Sequence, residues 1–216
     1  MGKYEYYLIN LNEDMYLDSI MEKFGEFLDV YVTHMGWDGQ DAVQLFVDSG
    51  LARVFERQDP KYVAGKSGAE LTLYAMEKCG MDEEVPTGVT VGFSIPYFIG
   101  EMVGYFQVKN GMRYQRIFDA IPYQRMEELA RLNQDLFPAE FEEVIKEELA
   151  CVPYHSYLKE RRKLWGFTQA ELASRSCVSL RAIQQYEQGA KDIRKASVGA
   201  MQRLAMALRC NIEDLI

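Results

Sequence analysis

The spacing of apolar side chains constrains this chain more than any other feature. Across residues 14–35, DMYLDSIMEKFGEFLDVYVTHM, the side chains of Met15, Leu17, Ile20, Met21, Phe24, Phe27, Leu28, Tyr31, Val32 and Met35 recur mostly three and four positions apart. That is the period of an amphipathic helix with one buried stripe. The same period returns after each break. Asp38 can cap a helix that runs through Asp48 and stops at Gly50, and a short helical turn over 51–57 ends before Asp59-Pro60. Ser67 opens another that reaches Cys79 and stops at Gly80. Residues 82–93, DEEVPTGVTVGF, carry acidic, Pro and Gly punctuation before a short β-branched run, and read as a loop or one brief extended segment. Ser94, with Pro96 just inside, starts a helix that lasts to Asn110-Gly111. Shorter helices are expected over about 113–120, 123–132 and 138–150. The fold class is all-α.

Charge divides the chain. Residues 1–150 hold 13 Lys and Arg against 27 Asp and Glu, a net of −14, whereas residues 151–216 hold 11 against 6, a net of +5; together they make the chain's −9. Pro153 disfavours helix at the residue before it, so Cys151-Val152-Pro153 marks the boundary. Two domains are expected in 216 residues: an acidic helical one over 1–150, for dimerisation, partner or effector binding, and a smaller basic one over 151–216. A net charge of −9 argues against nucleic acid, because neutralising phosphates needs a positive face; the local sign reverses that argument for the C-terminal part.

Several chemistries are excluded. No stretch approaches the roughly 18 uninterrupted apolar residues of a membrane span, and the start MGKYEYYLINLNED lacks a signal pattern, so a cytoplasmic location without a membrane partner is expected. The four cysteines are scattered and read as free, mostly buried thiols. Gly65-Lys66-Ser67 invites a phosphate-loop reading, but Pro60 stands where the loop needs its first Gly, and Ser67 with Glu70 forms a capping box instead. Cys151 and His155 are at most half a metal site, with His34 the only other histidine. No metal, cofactor or catalytic residue is expected, and the chain does not read as an enzyme. The aromatics Phe93, Tyr97, Phe98, Tyr105, Phe106, Tyr114, Phe118 and Tyr123 could line a small-molecule pocket, but at helical spacing they read as core.

The basic region carries the informative motif. Thr168 precedes an apolar run and has Glu171 three residues on, a capping box that starts a helix at Gln169 and runs to about Arg175. Ser-Cys-Val turns the chain, Ser179 caps a second helix to about Gln188, and Gly189 stops it. Ala173, Val178, Ile183 and Tyr186 supply the small and apolar contact that two steeply crossing helices need. The second helix then presents Leu180, Arg181, Gln184, Gln185 and Gln188, a face with little acidic character. Arg and Gln carry the paired donors and acceptors that match guanine and adenine edges in the major groove.

Residues 154–216 resemble the phage-repressor-like (Cro/Xre) helix-turn-helix family. LKERRKLWGFTQAELASRS matches its first helix and the opening of its second, IQQYEQG the end of its recognition helix, and LAMALRCNIEDLI its closing helices. The resemblance implies a five-helix, lambda-repressor-like domain that binds double-stranded DNA. It places Thr168 and Gln169 at the second helix's N-terminus, with Gln169 on a phosphate, and Ser179, Leu180, Arg181, Gln184 and Gln185 on the face that meets backbone and base edges. Arg162 and Glu187 fall where the family often has a structural ion pair. Cys177 replaces a common turn Gly, Leu180 replaces a polar residue, which suggests a thymine methyl or packing on the phosphate side, and the loop AKDIRKAS is longer than usual, with Lys191, Arg194 and Lys195 set to grip phosphates. The N-terminal region is weakly similar to uncharacterised helical regions that accompany such domains. The chain is therefore expected to be a prokaryotic sequence-specific transcriptional regulator, a repressor and a homodimer. The alternative is an antitoxin-like protein whose acidic domain binds a protein partner while the C-terminal domain autoregulates through DNA.

Overall fold

The computed structural model describes residues 15–86, 88–152 and 156–215; the Cys151/His155 pairing, Tyr154 at the start of the resemblance, and Met1 to Asp14 lie wholly or partly outside the described residues. Among the described residues there are helices and no strand, and none of the helices is long and apolar enough to cross a membrane. The chain packs as two units, Met1–Val152 and Pro153–Ile216.

In the first unit, α1 (Leu17–Leu28) buries Ile20, Phe24, Phe27 and Leu28 and passes into a π-helical segment, Asp29–His34, in which the Met35 N–H reaches back five residues to the Val30 carbonyl. Next come α2 (Gly39–Asp48), α3 (Leu51–Glu56), α4 (Pro60–Val63) and α5 (Gly68–Lys78), then α6 (Ile95–Asn110), α7 (Tyr114–Ala120), α8 (Tyr123–Leu132) and α9 (Pro138–Cys151). The short α4, capped by the Asp59 carboxylate on the Lys61 N–H, fell within a break in the sequence reading. Helix α5 begins with the full Ser67/Glu70 capping box, which uses Gly65-Lys66-Ser67 as a helix start.

The long α6 lies against α1 at backbone distance. A Cβ on Gly100 would come within 2.5 Å of the Gly25 Cα and N, so two glycines permit the crossing that seals the core. Around it Phe24 packs on Phe46 at 4.5 Å and on Tyr114 at 4.8 Å between ring centroids. Phe106, Tyr114, Phe118 and Tyr123 are likewise buried. Tyr97, Phe98 and Tyr105 are half-buried, and Phe93 is fully exposed, with left-handed backbone at φ 61°. Its neighbours are held by the buried Asp29 carboxylate, which accepts the Gly92 N–H at 2.9 Å and the Ser94 hydroxyl at 2.5 Å. The cysteines correct a second expectation. They are free, but Cys79, Cys151 and Cys177 are exposed and Cys210 is half-buried, because the helical stripes that face the cores are filled by larger aliphatic and aromatic side chains.

The second unit comprises α10 (Tyr157–Leu164), α11 (Gln169–Ser176), α12 (Leu180–Glu187), a 3-10 turn (Ile193–Lys195), α13 (Val198–Ala207) and a closing 3-10 turn (Ile212–Asp214). Its core gathers Leu158, Leu172, Ile183, Tyr186, Leu204 and Leu208 among others. The fifth helix that the resemblance implies is thus one tight 3-10 turn instead of an α-helix. Asp214 reaches back to accept the Asn211 N–H at 2.9 Å, and Leu215 buries against the core.

Candidate nucleic-acid interface

Helices α11 and α12 are each opened by a side chain already spent on the backbone. Thr168 accepts the Glu171 N–H at 3.2 Å and gives its hydroxyl proton to Glu171 Oε2 at 2.8 Å. A carboxylate can only accept, so that proton is committed and Thr168 serves the cap. The Thr168 backbone N–H, donating to Glu171 Oε2 at 2.7 Å, and after it the hydroxyl hold the Glu171 carboxyl below the usual carboxylate range. Ser179 accepts the Ala182 N–H at 3.3 Å, which leaves its hydroxyl proton free for an outside acceptor.

Between the caps, Cys177 adopts φ 52° and ψ 31°, the left-handed conformation that glycine takes without a Cβ penalty. The turn therefore keeps its backbone path with a side chain that does not favour it. Arg203 supports it from α13: its Nε donates to the Ser176 carbonyl at 3.1 Å, placing a cation at the C-terminus of α11. Nothing in the local sequence pattern marks Arg203, because its partner lies 27 residues away.

Below the turn lies a charged knot. Arg162 donates from Nε to Glu187 Oε1 at 2.6 Å and from Nη2 to Glu187 Oε2 at 2.9 Å, while its Nη1 takes the Phe167 carbonyl. Gln169 Nε2 adds a third donor to Glu187 at 2.8 Å. Burial pushes the Glu187 carboxyl up, but the donors from Arg162 and Gln169 outweigh it and hold the group below its ordinary range. Gln169 consequently has one amide proton left for a phosphate, and its orientation is set by the ion pair.

The outer face of α12 is different. Leu180 and Gln184 share one row, and Arg181 and Gln185 the next, each pair four residues apart. Inward stand Ile183, Tyr186 and Glu187, all buried. The side chains of Arg181, Gln184 and Gln185 make no hydrogen bond or ion pair with the described residues, so their donors and acceptors are available. Thr168, Arg162, Gln169 and Glu187, by contrast, are committed to the scaffold.

The loop cations are unequal. Arg194 is clasped by Asp192, Nε to Oδ1 and Nη2 to Oδ2 both at 3.1 Å, which offsets its charge and lowers the Asp192 carboxyl. Lys191 stands 5.5 Å from the Tyr186 ring centroid. Lys195 is exposed and unpaired among the described residues. Sequence reasoning passed over Arg175, an exposed cation that lies 4.4 Å from the Phe167 ring centroid. Among the described residues no group of three His, Cys, Asp or Glu side chains could hold a metal ion.

A family model described as helix-turn-helix matches residues 158–215, and the match does not extend into the N-terminal unit. No curated protein and no solved structure matches the chain. The C-terminal unit is a lambda-repressor-like helix-turn-helix domain of the DNA-binding type, following an N-terminal unit whose described residues form helices and no strand.

Proposed function

We propose that this chain is a sequence-specific transcriptional repressor of prokaryotic type. In this reading α12, with Ser179 before it and Gln188 after it, enters the major groove of double-stranded DNA. The observation that carries the reading is a contrast: Arg181, Gln184 and Gln185 on the outer face of α12 keep free donors and acceptors while Arg162, Gln169 and Glu187 are tied to one another. Arg181 and Gln185 are assigned to base edges. The Ser179 hydroxyl, the remaining Gln169 proton, Lys191, Lys195 and, after exchange from Asp192, Arg194 are assigned to phosphates. Two such helices read two half-sites about 34 Å apart, so the chain acts as a homodimer on an inverted repeat, with residues 1–150 supplying dimerisation or effector binding in the cytoplasm.

Selection of bound duplexes from a random-sequence library by the full chain tests this proposal. An enriched inverted repeat is expected, with affinity that falls steeply as salt rises. Absence of any enriched site, or sedimentation that shows only monomer with and without DNA, would refute it. A protein partner for the acidic unit is a second role, favoured by Phe93 standing exposed in a loop that also carries the exposed Asp82, Glu83 and Glu84. In that arrangement DNA binding would serve autoregulation.

A further inference from the structure

Leu180 opens α12 and is 40% exposed, whereas Ile183 on the inward side is fully buried. A single exposed leucine needs no explanation on an ordinary surface. This one shares its face with Arg181, Gln184 and Gln185, whose polar groups are unspent. A surface that meets base edges encounters donors and acceptors at every pair, but in unmodified DNA the apolar group it meets in the major groove is the 5-methyl of thymine. Packing a leucine against a phosphate would instead desolvate charged oxygens with nothing to donate to them.

We infer that Leu180 is a specificity-determining residue that packs against the 5-methyl group of a thymine in each half-site. The inference rests on the reading of α12 as the groove-facing helix. It adds that discrimination at one position is apolar, where Arg181 and Gln185 discriminate by hydrogen bonds. Burying one methyl group is worth about fourfold in affinity, which sets the size of the effect.

The experiment uses the full chain and the duplex enriched by selection. Thymines of the half-site are replaced one at a time by deoxyuridine, which removes the methyl and leaves every hydrogen-bonding group in place. One position per half-site is expected to weaken wild-type binding about fourfold. Leu180→Ala is expected to bind the thymine duplex about fourfold more weakly and to be indifferent to the deoxyuridine exchange at that position, whereas Leu180→Met retains the discrimination. Equal thermal melts by Trp165 fluorescence, read in a Trp37→Phe background, show that the variants fold. Wild-type indifference to deoxyuridine at every thymine, or an enriched site without thymine, overturns the inference while leaving the groove-facing helix intact. So does an exchange penalty that persists unchanged in Leu180→Ala. Failure of the chain to enrich any site overturns both together.

Discussion

Removing the Arg162 guanidinium is the most informative perturbation of the C-terminal unit. The Glu187 side chain is 2% exposed and draws three hydrogen bonds, two from Arg162 and one from Gln169. Arg162→Met leaves that carboxylate buried with one neutral donor and also releases the Phe167 carbonyl. Stranding one partner of a buried pair costs about 3–5 kcal/mol. A unit of this size has roughly 3–10 kcal/mol of stability in total, so the loss is a large fraction of it. Arg162→Met/Glu187→Leu strands neither charge and is expected to be more stable than the single variant. The chain's two tryptophans, Trp37 and Trp165, provide the assay. In a Trp37→Phe background the remaining indole, bonded through Nε1 to the Leu208 carbonyl at 2.7 Å, reports urea unfolding of this unit alone. Because the Glu187 carboxyl is depressed in the folded state, its contribution is present above the unfolded carboxylate pKa and is lost as pH falls through the folded value. A loss below about 1 kcal/mol for Arg162→Met, or a double variant as unstable as the sum of the singles, would refute the reasoning.

Other outcomes follow from single contacts. Cys177→Gly relieves a left-handed Cβ and is expected to raise the urea-unfolding free energy of the same unit by about 0.5–1 kcal/mol after the backbone entropy of glycine is counted. Gly100→Ala drives a methyl into the Gly25 backbone and should destabilise the first unit by about 1–3 kcal/mol, read from Trp37 fluorescence in a Trp165→Phe background. Asp192→Asn keeps a capping oxygen but removes the carboxylate that clasps Arg194, so random-duplex binding should tighten at low salt and its log–log salt slope should steepen. No change in that slope would place Arg194 away from phosphate.

How much of this was legible depends on the distance between partners in sequence. Helix starts could be read because a cap and its hydrogen-bond partner are neighbours, as in Asp38 with Gln40, Ser67 with Glu70 and Thr168 with Glu171. The burial of α1 followed from its period. Contacts between distant segments left no local trace. Gly25 meeting Gly100, Asp29 holding Gly92 and Ser94, and Arg203 reaching Ser176 all depend on how helices pack. Phe93 was misread as core for the same reason: its spacing fits a helix, but a buried carboxylate 64 residues earlier fixes the loop that exposes it. At the proposed DNA-binding face, the resemblance placed Thr168 among the DNA-binding residues and Arg194 on a phosphate, while their hydrogen bonds commit them first to Glu171 and Asp192.

The central claim is that α12 reads sequence through its unspent side chains, and Arg181→Ala tests it most directly. Fluorescence anisotropy titrations compare wild type and variant on the enriched duplex and on random duplex at one salt concentration. The variant is expected to lose about 1–3 kcal/mol on the enriched site and little on random DNA, so the ratio of the two affinities collapses. The same loss on both duplexes would make Arg181 a phosphate contact and contradict base reading by this helix.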